Sequence, residues 1–302
     1  MLLRLWNSKW FLLLSVVVLW GSSFALVRIA VATVPAVWVM AIRLAIAALA
    51  LTATLYVARL RFPADLASWR AVAAIAVIGN VVPFLLIAWG LNYIPSSLSG
   101  ILMAVMPLGV VVLAHFFLPD EPLSPVKFIG FLLGFVGVVV ILGPERFLSL
   151  SFGGWEFLGQ LAVIAAALCY SLQSIVSRRM KAKGALEMAT ATLLVATLIG
   201  LPMALIGAPG GLSGATGEAL LALFVVGLFT TGLASVVYFQ LIRTAGASFA
   251  SLINYLIPVY AMAVGATFLD ESIGVAELTG LALILAGIAV VQLVAAARSA
   301  KA

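Results

Sequence analysis

Residues 88–142, AWGLNYIPSSLSGILMAVMPLGVVVLAHFFLPDEPLSPVKFIGFLLGFVGVVVIL, return in altered form as residues 239–293, FQLIRTAGASFASLINYLIPVYAMAVGATFLDESIGVAELTGLALILAGIAVVQL. Pro107 falls on Pro258, Asp120 and Glu121 on Asp270 and Glu271, and Gly130 and Gly137 on Gly280 and Gly287, at a nearly constant offset. The correspondence reaches back to the start of each half, where Trp20 matches Tyr170, Ser23 matches Gln173 and Arg28 matches Arg178. A repeat of this length defines the architecture, so it is read before any local motif. Both copies are too apolar for a unit that folds in water. The chain of 302 residues is 65% hydrophobic and 9% charged, where a soluble domain carries about 25% charge.

An apolar helix of about 20 residues crosses the ~30 Å hydrocarbon layer of a bilayer. Such runs fall near residues 10–32, 36–58, 70–91, 95–118, 126–143, 154–177, 186–207, 217–240, 246–269 and 275–297. The uncharged run from Ala71 to Pro119 is too long for one span and breaks at Asn92–Pro95. The run from Met188 to Gly217 breaks at APGGLSGATG, where proline and glycine favour a loop. With the N-terminus inside, the cytoplasmic segments hold Arg4, Lys9, Arg59, Arg61, Arg70, Lys127, Arg178, Arg179, Lys181, Lys183, Arg243, Arg298 and Lys301. The outer loops then hold Arg146 alone, and Arg28 and Arg43 lie within spans. This asymmetry is the positive-inside signature of a multi-pass protein. It also accounts for the net charge of +6 without nucleic acid as a partner.

Five spans per copy is an odd number, so the second copy enters the membrane upside down. The expected fold is therefore all-α integral membrane, with ten transmembrane helices as two inverted five-helix repeats, residues 1–147 and 148–302. The expected location is a bacterial inner membrane with both termini cytoplasmic. The opening MLLRLWNSKWFLLLSVVVLWGSSFA has the layout of a signal peptide. Its apolar run continues past Ala25 and is matched in the second half, so a retained span is expected. Inverted repeats place a substrate site near the bilayer midplane, between the halves, and work by alternating access.

The segments LWGSSFALVRIA (19–30), VPAVWVMAIRLAIAAL (34–49) and the proline-bearing runs that lead to an acidic pair, the first followed by FIGFLLGFVGVVVIL (128–142), carry a resemblance. Over nearly its whole length the chain resembles the ten-helix members of the drug/metabolite transporter superfamily, with two EamA-type repeats. That resemblance implies a carrier, with bacterial exporters of amino acids and related metabolites as the nearest likeness.

The polar residues define the chemistry available inside the membrane. All ten acidic residues fall in loops or at span ends. The one histidine, His115, lies about 30 Å below the outer start of its span, near the inner surface. Buried ionisable groups are the usual proton carriers, so transport without proton coupling is expected. One cysteine, Cys169, forms no disulfide within the chain, and a single histidine cannot build a histidine-cluster metal site. No cofactor is expected. GLSG at 211–214 resembles the serine motif of intramembrane proteases, but it lies in a loop and no histidine follows it. An enzyme is therefore disfavoured.

The candidate substrate cavity is Trp20, Ser23, Asn80, Ser99, Met103, Tyr170, Gln173, Ser174, Tyr238 and Asn254. Amides in hydrocarbon need partners or water, whereas serines on a helical stripe also serve close packing. Aromatic walls with neutral polar tips suit neutral or aromatic amino acids, whose ammonium can meet a ring face. Drug efflux is the competing transport role, and a non-transport membrane scaffold the blander one. Pro107 and Pro258 are candidate hinges, because proline removes a backbone donor and clashes one turn back. Arg28, Arg43, Glu121, Arg178 and Glu271 are candidate gate charges. Of these, Arg28 and Arg178 sit at span ends, where an arginine can snorkel, and Arg43 lies deeper. The expected partners are a small-molecule substrate and the lipid bilayer.

Overall fold

The computed structural model describes residues 8–62, 65–94, 99, 102–119, 123–142, 154–179, 184–257, 259–260 and 274–299. Among these residues the chain is helical and contains no strand. In chain order the helices are α1 (Lys9–Val31), α2 (Ala36–Val57), α3 (Leu66–Gly90), α4 (Met106–Phe117), α5 (Pro125–Leu142), α6 (Gly154–Arg179), α7 (Ala185–Gly207), α8 (Gly217–Ala245), α9 (Ala247–Ile257) and α10 (Val275–Ser299). Six of them, α1, α2, α3, α6, α7 and α8, are long and apolar enough to cross a membrane, and the other four are shorter or flanked by undescribed residues. This is a multi-pass membrane protein. Leu49, Tyr56, Leu198 and Ile206 point outward and are more than two-thirds exposed, the inversion of soluble packing that a lipid solvent permits.

The helix starts follow local chemistry. Ser8 accepts a hydrogen bond from the Phe11 N–H, Asp65 from the Ser68 N–H at 2.7 Å, and Thr216 from the Ala219 N–H at 3.3 Å. Each satisfies a donor that has no partner within its helix. Glu156, Glu187 and Glu218 occupy the first turns of α6, α7 and α8, where a negative charge meets the positive end of the helix dipole.

Helices from the two halves pack in pairs. α1 lies on α8, and α6 lies on α3; α2 packs on α7, and α5 on α10. The α5–α10 contact is the closest. A Cβ placed at Gly137 would sit 2.7 Å from the Gly280 carbonyl oxygen, and one at Gly130 would sit 2.9 Å from that of Gly287. The lower-numbered glycine of one helix meets the higher-numbered glycine of the other, so α5 and α10 run antiparallel. Small residues let backbones approach in a membrane, where dispersion replaces the hydrophobic effect as the packing force.

Tyr255 braces this region. Its ring lies against Gly134, and its buried hydroxyl donates to the Phe131 carbonyl at 2.6 Å. Tyr255→Phe removes that donor while keeping the ring. It should destabilise the protein by about 1 kcal/mol, read as a lowered melting temperature in detergent.

Two features depart from regular α-helix. α3 contains a π-helical segment at Val77–Val81, and α8 contains one at Val226–Leu233. They occupy corresponding places in the two halves. The second departure lies at Pro107, the first candidate hinge. The chain is interrupted rather than bent: Ala104 and Val105 form a turn, with the Val105 N–H on the Leu102 carbonyl, and α4 begins at Met106 with Pro107 in its first turn. A first turn tolerates proline because its N–H would have no partner there. In α9 a turn at Ser251–Leu252 also separates two short helical pieces. Pro258 lies outside the described residues, as do Glu121 and Glu271.

Candidate functional site

Two neighbouring cavities lie between the halves and share Trp20, Phe84 and Tyr170 as walls. The first spans about 540 Å³ and the second about 380 Å³ of space between atoms, open solvent included. Trp20 stacks toward Tyr170 at 6.4 Å between ring centres and meets Tyr238 at 5.0 Å. These three rings come from α1, α6 and α8 and form a continuous aromatic surface. Offset or tilted rings at such separations attract through their quadrupoles.

The glycine beside Trp20 has a spatial role. A Cβ at Gly21 would sit 2.7 Å from the Tyr260 ring, and the hydroxyls of Ser22 and Tyr260 lie 3.1 Å apart. The Trp-Gly-Ser element thus seats the chain just beyond the second candidate hinge against α1.

The polar residues divide between the two cavities. Ser23, Met103 and Asn254 line the first; Asn80, Gln173 and Tyr238 line the second. Asn254 Nδ2 lies 2.9 Å from the Met106 sulfur. Asn80 Nδ2 donates to the Ile75 carbonyl at 3.2 Å, so the amide serves the backbone just ahead of the π-helical segment that carries it. Gln173 Oε1 and Thr192 Oγ1 are buried in the second cavity with no hydrogen-bond partner among the described residues.

Two expected lining residues are not placed on these walls. Ser174 instead holds Tyr238, with 2.7 Å between the hydroxyl oxygens, and also donates to the Tyr170 carbonyl. Gln173 reaches the second cavity, whereas the Ser174 hydroxyl is taken up by these two contacts. Ser99 is fully buried, and its hydroxyl has no partner among the described residues.

The arginines separate clearly. Arg28 donates to the Leu91 carbonyl and ties the end of α1 to the end of α3. Arg178 lies in the last turn of α6 beside Arg179, which donates to the Phe117 carbonyl. Arg43 differs from both: it is buried and lines the first cavity. Its Nε donates to the Thr231 hydroxyl at 3.0 Å, and its guanidinium lies 3.7 Å over the Phe84 ring. Thr231 sits in the π-helical segment of α8. Sequence reasoning missed Phe84 and Thr231 as site residues. For Thr231 the one visible signal was its place in TTG, in the middle of an otherwise apolar span, and Phe84 carried none.

A membrane bundle with aromatic, partly polar cavities between its halves fits a protein that handles small molecules. The family comparison agrees. The model of the EamA-like transporter family matches twice, over residues 8–143 and 157–293, and the chain belongs to that family. An uncharacterized transporter, YoaV of Bacillus subtilis, is 25% identical over 91% of this chain and 94% of its own length. The aromatic amino acid exporter YddG of Ancylobacter novellus is 36% identical over 94 residues, 30% of each chain. A solved crystal structure superposes with a TM-score of 0.76 over 98% of this chain and 99% of that one, at 23% identity. That likeness speaks to the fold.

Proposed function

We propose that the chain exports small amphiphilic metabolites, most of all neutral or aromatic amino acids, from a bacterial cytoplasm across the inner membrane. It works by alternating access between two inverted five-helix halves, residues 1–147 and 148–302, with both termini cytoplasmic. One observation carries the reading: the cavity walls come from both halves, with Trp20, Arg43 and Phe84 from the first and Tyr170, Gln173, Tyr238 and Asn254 from the second. A site built this way changes its access when one half moves against the other. The antiparallel α5–α10 pair and the exchanged packing of α1 on α8 and α6 on α3 support the inverted relation. Tyr170, Trp20 and Tyr238 offer ring faces to an aromatic side chain or an ammonium. The partial likeness to an aromatic amino acid exporter points to the same class.

Pro107 serves as a hinge at the break in the fourth span and Pro258 as its counterpart in the ninth span, and the acidic corners Glu121 and Glu271 act with basic span ends as gates. The purified protein in liposomes, loaded with single amino acids or with cationic drugs, tests the substrate class. Efflux of phenylalanine, tryptophan or leucine above empty liposomes is the expected result. Efflux of the drugs alone would reject the amino-acid reading in favour of drug export.

A further inference from the structure

The Arg43 guanidinium is under-compensated for its position. It lies seven residues past Ala36, about 10 Å along the helix from the start of α2, and is 6% exposed. No carboxylate lies within ion-pair distance of it among the described residues. Its neighbours are neutral: the Thr231 hydroxyl, the Phe84 ring face, and Tyr170, which acts on it electrostatically. A buried charge held only by neutral groups is costly, more so inside a membrane. The corresponding helix of the second half, α7, carries no lysine or arginine. Arg43 therefore breaks the symmetry of the duplication, unlike Arg28 and Arg178, which recur as span-end anchors.

The contacts also fix how the guanidinium is presented. Arginine has five N–H donors in a rigid plane. Thr231 takes the one on Nε, and Phe84 covers one face. The edge formed by the two terminal nitrogens remains, on a side chain that lines the cavity. Two parallel N–H groups on that edge match the two oxygens of a carboxylate. The π-helical segment of α8 has a role in this: it supplies the hydroxyl that holds Nε and so orients the fork.

We propose that Arg43 is the carboxylate anchor of the cavity, with Thr231 and Phe84 as its positioning residues, and that the transported class is defined by a free carboxylate next to an apolar or aromatic body. This rests on the amino-acid reading above and narrows it. The ligand body then extends along Trp20 and Tyr170, which share the cavity with Arg43.

Calorimetric titration of the purified protein with four probes tests this: L-phenylalanine, phenylpropionate, L-phenylalaninamide and phenethylamine. The first two carry a carboxylate and the last two do not. The wild-type protein should bind the carboxylates about 10- to 100-fold more tightly, the range for a charge-assisted hydrogen bond to a buried partner. Arg43→Gln should abolish that preference, and its retained binding of the amide and the amine would show an intact cavity. If Arg43→Gln does not fold, the wild-type preference alone decides. Equal wild-type binding of all four probes overturns the anchor and leaves the amino-acid reading standing. A preference that survives in Arg43→Gln overturns it too, and would return Arg43 to a gating role. Binding of none of the four overturns both the anchor and the amino-acid reading.

Discussion

Gly137→Val should yield no stable, monodisperse protein. A Cβ at position 137 would lie 2.7 Å from the Gly280 carbonyl oxygen and 2.9 Å from the Ile284 nitrogen. Both are backbone atoms of α10, so no rotamer change relieves the clash. The helices must separate, and the dispersion contacts along the whole α5–α10 face weaken with them, because a gap of about 1 Å forfeits a large part of each. Overpacking of this kind costs about 3 kcal/mol, a large share of the 5–15 kcal/mol that holds a typical domain together. Gly217→Ala is the control. Gly217 opens α8, and a Cβ there meets nothing within 4 Å. It should be neutral or slightly stabilising, since alanine restricts the unfolded chain more than glycine does. Size-exclusion profiles and melting curves in detergent read both variants. A Gly137→Val protein that elutes and melts like the wild type would show that α5 and α10 do not pack this closely.

Several span edges were legible because they depend on local signals, although α3 starts four residues before and α8 ends five residues past the limits read. The helices at 9–31, 36–57, 154–179 and 185–207 lie within two residues of the limits read from apolar runs, charges and loop residues. The cavity was legible in part for the same reason. Trp20, Asn80, Tyr170, Gln173, Tyr238 and Asn254 are polar or amphipathic groups in spans where only a cavity or a partner makes them tolerable. Two parts of the site were not legible. A π-helical segment leaves no sign in composition, since Val77–Val81 and Val226–Leu233 read as ordinary apolar helix with a few small polar residues. The place of Arg43 depends on Thr231 and Phe84, which are distant in sequence and come from two other helices. Depth along its own helix said that the arginine was costly but not which side it faced. Ser174 shows the same limit on a smaller scale, because its hydroxyl pairs with Tyr238, which comes from another helix and is distant in sequence.

A transmembrane pH gradient should not drive accumulation of substrate. Coupling needs a group whose protonation differs between the two access states, and in carriers that group is commonly a buried carboxylate or histidine. Among the described residues, no aspartate, glutamate or histidine lines either cavity. Asp65 caps α3, and Glu156, Glu187 and Glu218 sit in first turns. His115 lies exposed in the last turn of α4, where Nδ1 accepts the Leu123 N–H at 3.2 Å. Among the described residues, the one charged side chain on either cavity wall is that of Arg43. The expected carrier is thus a facilitator that releases accumulated metabolite down its own gradient. Liposomes without sodium or a membrane potential separate the cases. With one proton per substrate, a one-unit pH gradient would sustain about tenfold accumulation, since each pH unit corresponds to 1.36 kcal/mol. An uncoupled carrier instead brings the two sides to equal concentration, whichever side is acidic, and still speeds exchange of labelled substrate. Accumulation near tenfold that collapses when the pH gradient is removed would place a titrating group on the transport path. The acidic corners at Asp120–Glu121 and Asp270–Glu271 would then be the first positions to substitute.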